Sequence, residues 1–460
     1  TQAKTLFPYT TLFRSRRLVV GSIRGYAWSG PAEGGLMEII SDTVIYVMMA
    51  FVLIGAVAAI RDDQGGIGKE FMQGLHSIGY LFIPVAGVMA SLPYLSIFVE
   101  KVLGPIWSAL GADPSMAATT FIASDMGGYQ LAEATAQSDG AWITAMVTGY
   151  MAGATIVFTI PVGLAMLQKA DHKYMALGIM SGILTIPIGV AVTMLIVLAT
   201  GADIRSESST TGPADTPISG LDVGALVGNL VPLVIVVLLI ATGLKFLPDL
   251  MIKLFMAFGR FIDAAVKIIL ALSIVEYFTG VFSRVFGSWG FDAIIATEDN
   301  TFRALEVAGY VGIMLAGAFP MVYAIQKYMS RPLGAVGSKF GISQPGMAGI
   351  LGGSANVLAL FHLIKEMPAK DKVLAMAFAT TGAFLLGDHL SFTANFQPNL
   401  IVPVLIGKLT AALLAMALAY KIAVPTARRL EAADLEPGLA SSPPVAGLGA
   451  TGTETRGSDE

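Results

Sequence analysis

Apolar runs of roughly twenty residues recur along this chain, separated by short polar connections. That is about the length a helix needs to cross some 30 Å of hydrocarbon. Eleven segments follow from the pattern: 39–60, 71–92, 115–136, 141–167, 174–200, 223–247, 262–284, 304–326, 345–365, 372–395 and 398–424. The Ser/Thr/Pro-rich stretch 201–220 reads as a loop, and the Gly/Ser/Pro-rich chain from about 427 reads as disordered. The pattern predicts an all-α integral membrane protein with about nine to eleven transmembrane helices.

Two segments depart from plain hydrophobicity. Segment 115–136 carries Ser124-Asp125-Met126-Gly127-Gly128 at its middle, and segment 345–365 carries Gly352-Gly353-Ser354-Ala355-Asn356. Backbone inside a membrane must keep its hydrogen bonds, so a glycine-rich polar break there needs protein or water beside it. A re-entrant hairpin with its tip near the midplane is one solution. Charge tests it. If all eleven segments span with the N-terminus inside, nine basic residues lie inside (Lys101, Lys169, Lys173, Lys245, Lys253, Arg260, Lys327, Arg331, Lys339) and eleven outside. With both broken segments re-entrant and the N-terminus outside, sixteen lie inside and only Lys101, Arg205, Arg284 and Arg303 outside. The positive-inside rule favours the second arrangement, nine spans plus two hairpins.

A weak internal repeat points the same way. Gly79-Tyr80 recurs as Gly309-Tyr310, Pro93 as Pro320, Pro105 as Pro332, Met116 as Met347, and Gly182-Ile183-Leu184-Thr185 as Gly407-Lys408-Leu409-Thr410. Asp125 falls near Asn356, and Asp42 matches Asp263. Inverted repeats with broken helices at their interface are a signature of secondary transporters. The expected organisation is a first repeat over 37–200, a periplasmic loop, linking helix and cytoplasmic connection over 201–261, a second repeat over 262–424 and a disordered cytoplasmic tail over 425–460. Residues 1–36 read as a non-native leader: Thr5 to Ser15 resembles a translated sequencing adapter, and Met37 is the expected start.

Composition narrows the chemistry. The chain of 460 residues is 55% hydrophobic and 13% charged, with mean hydropathy +0.72, against about 25% charged for soluble domains. It has no cysteine, which excludes disulfides and thiolate metal sites, and its four histidines (His76, His172, His362, His389) form no metal-ligand pattern. No cofactor or metal motif, ATP-binding loop or nucleic-acid-binding pattern is present. The lipid bilayer is the expected partner.

Charged side chains within a span cost at least ~2.5 kcal/mol at a helix centre and therefore direct attention to function. Asp125, at the first break, reads as a counter-ion for a cation or as a cap for one hairpin arm. Gly127 and Gly128 would let backbone approach a ligand closely. Asp388 and His389, deep in segment 372–395, read as site residues or as a salt bridge with Lys408. Asn356 could bond a hydroxyl or cap its arm. Tyr129, Tyr150 and Phe392 could face an ammonium or simply pack. Lys267 and Glu276 read as snorkelling or paired.

Ser124-Asp125-Met126-Gly127-Gly128-Tyr129, Ala154-Thr155-Ile156-Val157-Phe158-Thr159-Ile160-Pro161, Ala176-Leu177-Gly178 with Thr185-Ile186-Pro187-Ile188-Gly189, and Gly387-Asp388-His389-Leu390 together resemble the ethanolamine utilisation protein EutH family, from Met37 to about Val424. The resemblance implies a multi-pass permease of the bacterial inner membrane that admits ethanolamine for degradation, and no enzyme. Ethanolamine is mostly an ammonium at neutral pH. Its amine calls for a carboxylate, Asp125 or Asp388, and its hydroxyl for Asn356, Ser124 or Thr155. The alternative is a cation- or proton-coupled carrier of another small amine or amino acid.

Overall fold

The computed structural model describes residues 36–298 and 300–440; the expectations for residues 1–35 and 441–460 lie outside them. The regular elements are helices, apart from one isolated bridge between Ile204 and Thr216. The chain begins with two long helices, α1 (Leu36–Arg61) and α2 (Gly66–Ala90), followed by the short α3 (Leu92–Phe98) and α4 (Gly104–Ala109). A broken pair follows, α5 (Ser115–Phe121) and α6 (Gly128–Thr135). Next, α7 (Asp139–Thr148) runs through a π-helical stretch, Gly149–Thr159, into α8 (Ile160–Met166). Then come α9 (His172–Ile183) and α10 (Ile186–Thr200), the loop 201–222, α11 (Val223–Phe246), α12 (Pro248–Thr279), α13 (Val281–Phe286) and α14 (Ala304–Lys339). A second broken pair, α15 (Gln344–Ala355) and α16 (Val357–Leu363), precedes α17 (Ala369–Gly382) and α18 (Asp388–Phe396). The last two are α19 (Ile401–Ile422) and α20 (Val424–Ala440).

Among the described residues, seven helical runs are long and apolar enough to cross a membrane by length and composition: α1, α2, α7 to α8, α9 to α10, α11, α14 and α19 with the turn before it. The protein is a multi-pass membrane protein. Its outer faces carry Leu53, Leu239, Phe261 and Phe278, all well exposed, as a surface solvated by lipid tails would. Polar and small groups gather inside instead. α2 lies along α14, α1 packs on both, and α12 packs on α2; α17 packs between α9 and α19, and α19 also meets α10.

Hydrogen bonds sort the connections into two sets. In one, Asp113 Oδ2 accepts from Gln137 N at 3.0 Å, Asp139 Oδ2 from Ser219 Oγ at 2.6 Å, Asn399 Nδ2 donates to Ala214 O at 3.0 Å, and Asp292 N to Ala90 O at 2.8 Å. In the other, Asp371 Oδ2 accepts from Ser343 N at 2.7 Å, Lys372 Nζ donates to Asp171 Oδ1 at 2.6 Å, and Glu431 Oε1 accepts from Ala369 N at 2.9 Å. Asp113 with Gln137 thus brings together the two ends of the α5–α6 stretch, and Ser343 with Asp371 does the same for α15–α16.

Three expectations change. The tail is not disordered from 425: α20 continues to 440, buries Ala427, and docks through Glu431 and through Asp434, which meets Lys173 Nζ at 2.5 Å. Residue 262 is not a boundary, because α12 starts at Pro248, whose fixed φ suits a first helical turn, and runs on without interruption. Segment 372–395 is not one helix; it unwinds between Gly382 and Asp388. Lys267 pairs with Asp263 at 2.7 Å one turn away, and Glu276 accepts from Phe282 N at 2.9 Å, closing the end of α12.

Candidate functional site

Both broken pairs meet a distorted helix. In the first, Gly127 adopts φ +93°, a left-handed turn that a side chain would strain, and so carries the chain from the Ser124–Met126 turn into α6. The break presses on the π stretch: a Cβ at Gly153 would lie 2.4 Å from Ile122 O and one at Gly149 2.2 Å from Ser124 Oγ. The stretch is wound in wider π turns, a distortion found often at functional sites.

In the second, α15 ends at Ala355 and leaves late carbonyls without helical partners. The unwound 383–387 stretch supplies them: Phe384 N donates to Gly353 O at 3.2 Å and Leu386 N to Ser354 O at 2.8 Å. Phe384 is held at φ +60°, rare for an aromatic residue and a local store of strain. A Cβ on Gly387 would come 2.0 Å from Ala355 O, so only glycine allows this approach.

These two crossings bring Asp125, Asp388 and His389 to one interior region, and α19 adds Lys408. Asp125 Oδ2 and His389 Nε2 are 3.9 Å apart, with side chains 11% and 1% exposed. That separation exceeds a hydrogen bond. Asp125 Oδ1, both ring nitrogens of His389 and Ser391 Oγ are buried and have no hydrogen-bond partner among the described residues. Buried polar atoms are normally satisfied, so this cluster of orphans sets the region apart from the rest of the interior. The His389 ring lies between Tyr150, 4.6 Å away, and Phe384, 5.3 Å away. Thr393 Oγ1 donates to His389 O at 2.7 Å and lies 2.9 Å from Tyr150 Oη. One hydroxyl has one proton, so Tyr150 is the donor of that second contact. Asp388 begins α18, where the helix dipole favours a carboxylate.

The salt bridge considered for Lys408 is not formed. Lys408 is 1% exposed and donates to Tyr150 O at 3.0 Å. The carbonyl of the π stretch therefore takes the place of a carboxylate partner, and among the described residues Lys408 makes no ion pair with Asp388 or His389.

The other sequence candidates are placed as follows. Ser124 Oγ donates to Met146 O at 2.7 Å and Thr155 Oγ1 to Thr380 O at 2.6 Å, so both hydroxyl protons are engaged in joining helices. Gly128 abuts Ala123 O, where a Cβ would be 2.6 Å away. Asn356 caps α16, its Oδ1 accepting from Leu358 N at 2.9 Å. Tyr129 stacks on Trp142 at 4.8 Å and accepts from Gln397 Nε2 at 2.8 Å. Phe392 stacks on Phe396 at 4.2 Å. Sequence reasoning passed over Thr393, whose signal is its spacing one turn after His389, and Glu70. Glu70 lay just before segment 71–92, but α2 begins at Gly66 and includes it, half-buried.

The described features define a multi-pass membrane protein with a buried polar centre at broken helices. The chain belongs to the family described as "Ethanolamine utilisation protein, EutH", whose model matches residues 40–422. It is 35% identical over 385 residues to "Probable ethanolamine permease EutH" of Listeria monocytogenes serotype 1/2a (strain 10403S), covering 84% of this chain and 94% of that one. It is 34% identical over 407 residues to "Probable ethanolamine permease EutH" of Escherichia coli (strain K12), covering 83% and 95%. It is also 33% identical over 381 residues to "Uncharacterized protein YxeR" of Bacillus subtilis (strain 168), covering 83% and 94%. No solved structure matches the chain significantly.

Proposed function

We propose that this protein carries ethanolamine across the bacterial inner membrane, and is a permease rather than an enzyme. The observation that carries the reading is the buried Asp125 carboxylate, with Oδ1 orphaned and Oδ2 3.9 Å from a His389 ring that has no hydrogen-bond partner among the described residues, in a partly aromatic region. Asp125 takes the ammonium, the Tyr150 face supports it by cation–π attraction, and His389 or Ser391 meets the hydroxyl. Asp388 is the second carboxylate in range. Radiolabelled ethanolamine uptake into proteoliposomes, with and without a pH gradient and with other small amines as competitors, tests this. Specific uptake is expected; competition by an amino acid alone would redirect the substrate, and no uptake of any amine would overturn the reading.

The proposed topology is nine spans and two re-entrant hairpins, α5–α6 from the outside and α15–α16 from the inside. The tied ends of each hairpin support it, as does the two-sided grouping of loops, which places Lys173, Lys370 and Lys372 on one side and Arg205 and Arg303 on the other. Reciprocal packing supports an inverted repeat: α1 meets α14 as α12 meets α2, and one hairpin meets a π stretch as the other meets an unwound one. Since the chain has no cysteine, Lys370→Cys should react with an impermeant thiol reagent only from the inside. Labelling only from the outside would remove the second hairpin.

A further inference from the structure

A second polar recess lies away from Asp125. It is a cavity of ≈ 180 Å³ between α2, α14 and the α15–α16 break, whose polar groups are Glu70, Gln73, Tyr323, Gln326 and Asn356. Since a water molecule takes up about 30 Å³ of liquid, the space suits a small solute with its own hydration. Glu70 is half-buried, and its carboxylate has no hydrogen bond or ion pair to another described residue. Its place near the start of α2 would suit the helix dipole alone. The dipole does not account for the Gln73 amide on the same helix, nor for the Tyr323 phenol and Gln326 amide of α14 and the Asn356 amide of the α15–α16 break lining the same recess.

The recess abuts the central region. Ala355 and Asn356 form part of its wall, and the Ala355 carbonyl rests on Gly387, the residue before Asp388. Ala355 therefore touches both the recess and the residue that precedes Asp388. The opposite end of the centre is closed: Gln397 bonds Tyr129 Oη at 2.8 Å and Arg205 O at 3.0 Å, and Arg205 N donates to Gln397 Oε1 at 2.9 Å. Glu70 lies one turn beyond the basic-side connection at 61–66.

We propose that this cavity is a second cation subsite, in which Glu70 holds a small ammonium alcohol between the central region and release on the inner side. The direction of passage rests on the transport reading above; the binding chemistry of the recess does not. Asn356 Nδ2 and the Gln73 and Gln326 amides supply hydrogen bonds for a hydroxyl, and Glu70 supplies the single charge.

Ala359 is exposed and lines the cavity. The full chain carrying Ala359→Cys, in vesicles of known orientation, is treated from the inner side with a cationic and an anionic methanethiosulfonate of similar size. The cationic reagent should react several-fold faster, ethanolamine should slow it, and Glu70→Gln should abolish both the preference and the protection. Equal rates for the two reagents, or protection that survives Glu70→Gln, would overturn the subsite. Protection that depends on Glu70, alongside normal uptake by Asp125→Asn, would keep the subsite and remove Asp125 from the central reading. Loss of uptake in Asp125→Asn without protection at Ala359→Cys would do the reverse.

Discussion

Asp125→Asn should weaken ethanolamine binding about ten- to a hundredfold while leaving protein level unchanged. A hydrogen bond to a charged group contributes ~1.5–3 kcal/mol, and removing the charge alone forfeits most of it. The replacement keeps size and polarity. It also spares the fold, because the Asp125 carboxylate caps no helix: neither the 124–126 turn nor α6 receives a side-chain cap bond. A purely structural Asp125 therefore predicts near-normal uptake for Asn, and that outcome would leave Asp388 as the counter-ion. Ser124→Ala separates the two effects from the other direction. It removes the bond to Met146 O and should lower thermal stability with little change in affinity.

What the sequence disclosed and what it hid follow from the same physics. The two interrupted segments were readable because glycine and a polar residue within an apolar run contradict a simple span. Asp125 and Asp388-His389 stood out for the cost of charge in hydrocarbon. The unwinding at 383–387 gave no such signal. Gly382 and Gly387 bracket it, but the left-handed residue is Phe384, and no propensity assigns that conformation to phenylalanine. What holds it there is tertiary: Gly353 O and Ser354 O need donors, and the Phe384 ring packs on His389 and on Phe158. The π stretch was equally hidden, since its composition suits an α-helix and only the pressing of the first break against Gly149 and Gly153 marks its special packing. Thr155 and Ser124 looked like ligand groups because a hydroxyl in a span has two readings, and the carbonyls that accept from them lie distant in sequence. The tail misled for a different reason. Its Gly/Pro-rich end dominated the composition, while Glu431 and Asp434 just before it make specific contacts with 369 and 173.

Gly387→Ala should damage both stability and transport. Its Cβ would lie 2.0 Å from Ala355 O and 3.0 Å from Ala355 C, and neither is a side-chain tip that can swing aside. Relief requires the 383–387 turn to part from α15, which would break the bonds from Phe384 N and Leu386 N and leave two carbonyls unpaired in a dry interior. Overpacking typically costs 1–3 kcal/mol, and the lost hydrogen bonds add to it. The substitution would also shift Asp388 and His389, the next two residues, away from Asp125. Thermal stability in detergent and ethanolamine uptake should therefore fall together. Gly309→Ala is the matched control: Gly309 is in α14, and a Cβ there meets nothing within 4 Å. Adding a methyl to a helix interior at an open position should leave stability unchanged or raise it by ~0.5–1 kcal/mol. If Gly387→Ala melted and transported like Gly309→Ala, the close contact between the unwound turn and α15 would not exist in the membrane. The link through Ala355 between the wall of the inner cavity and the residue before Asp388 would go with it.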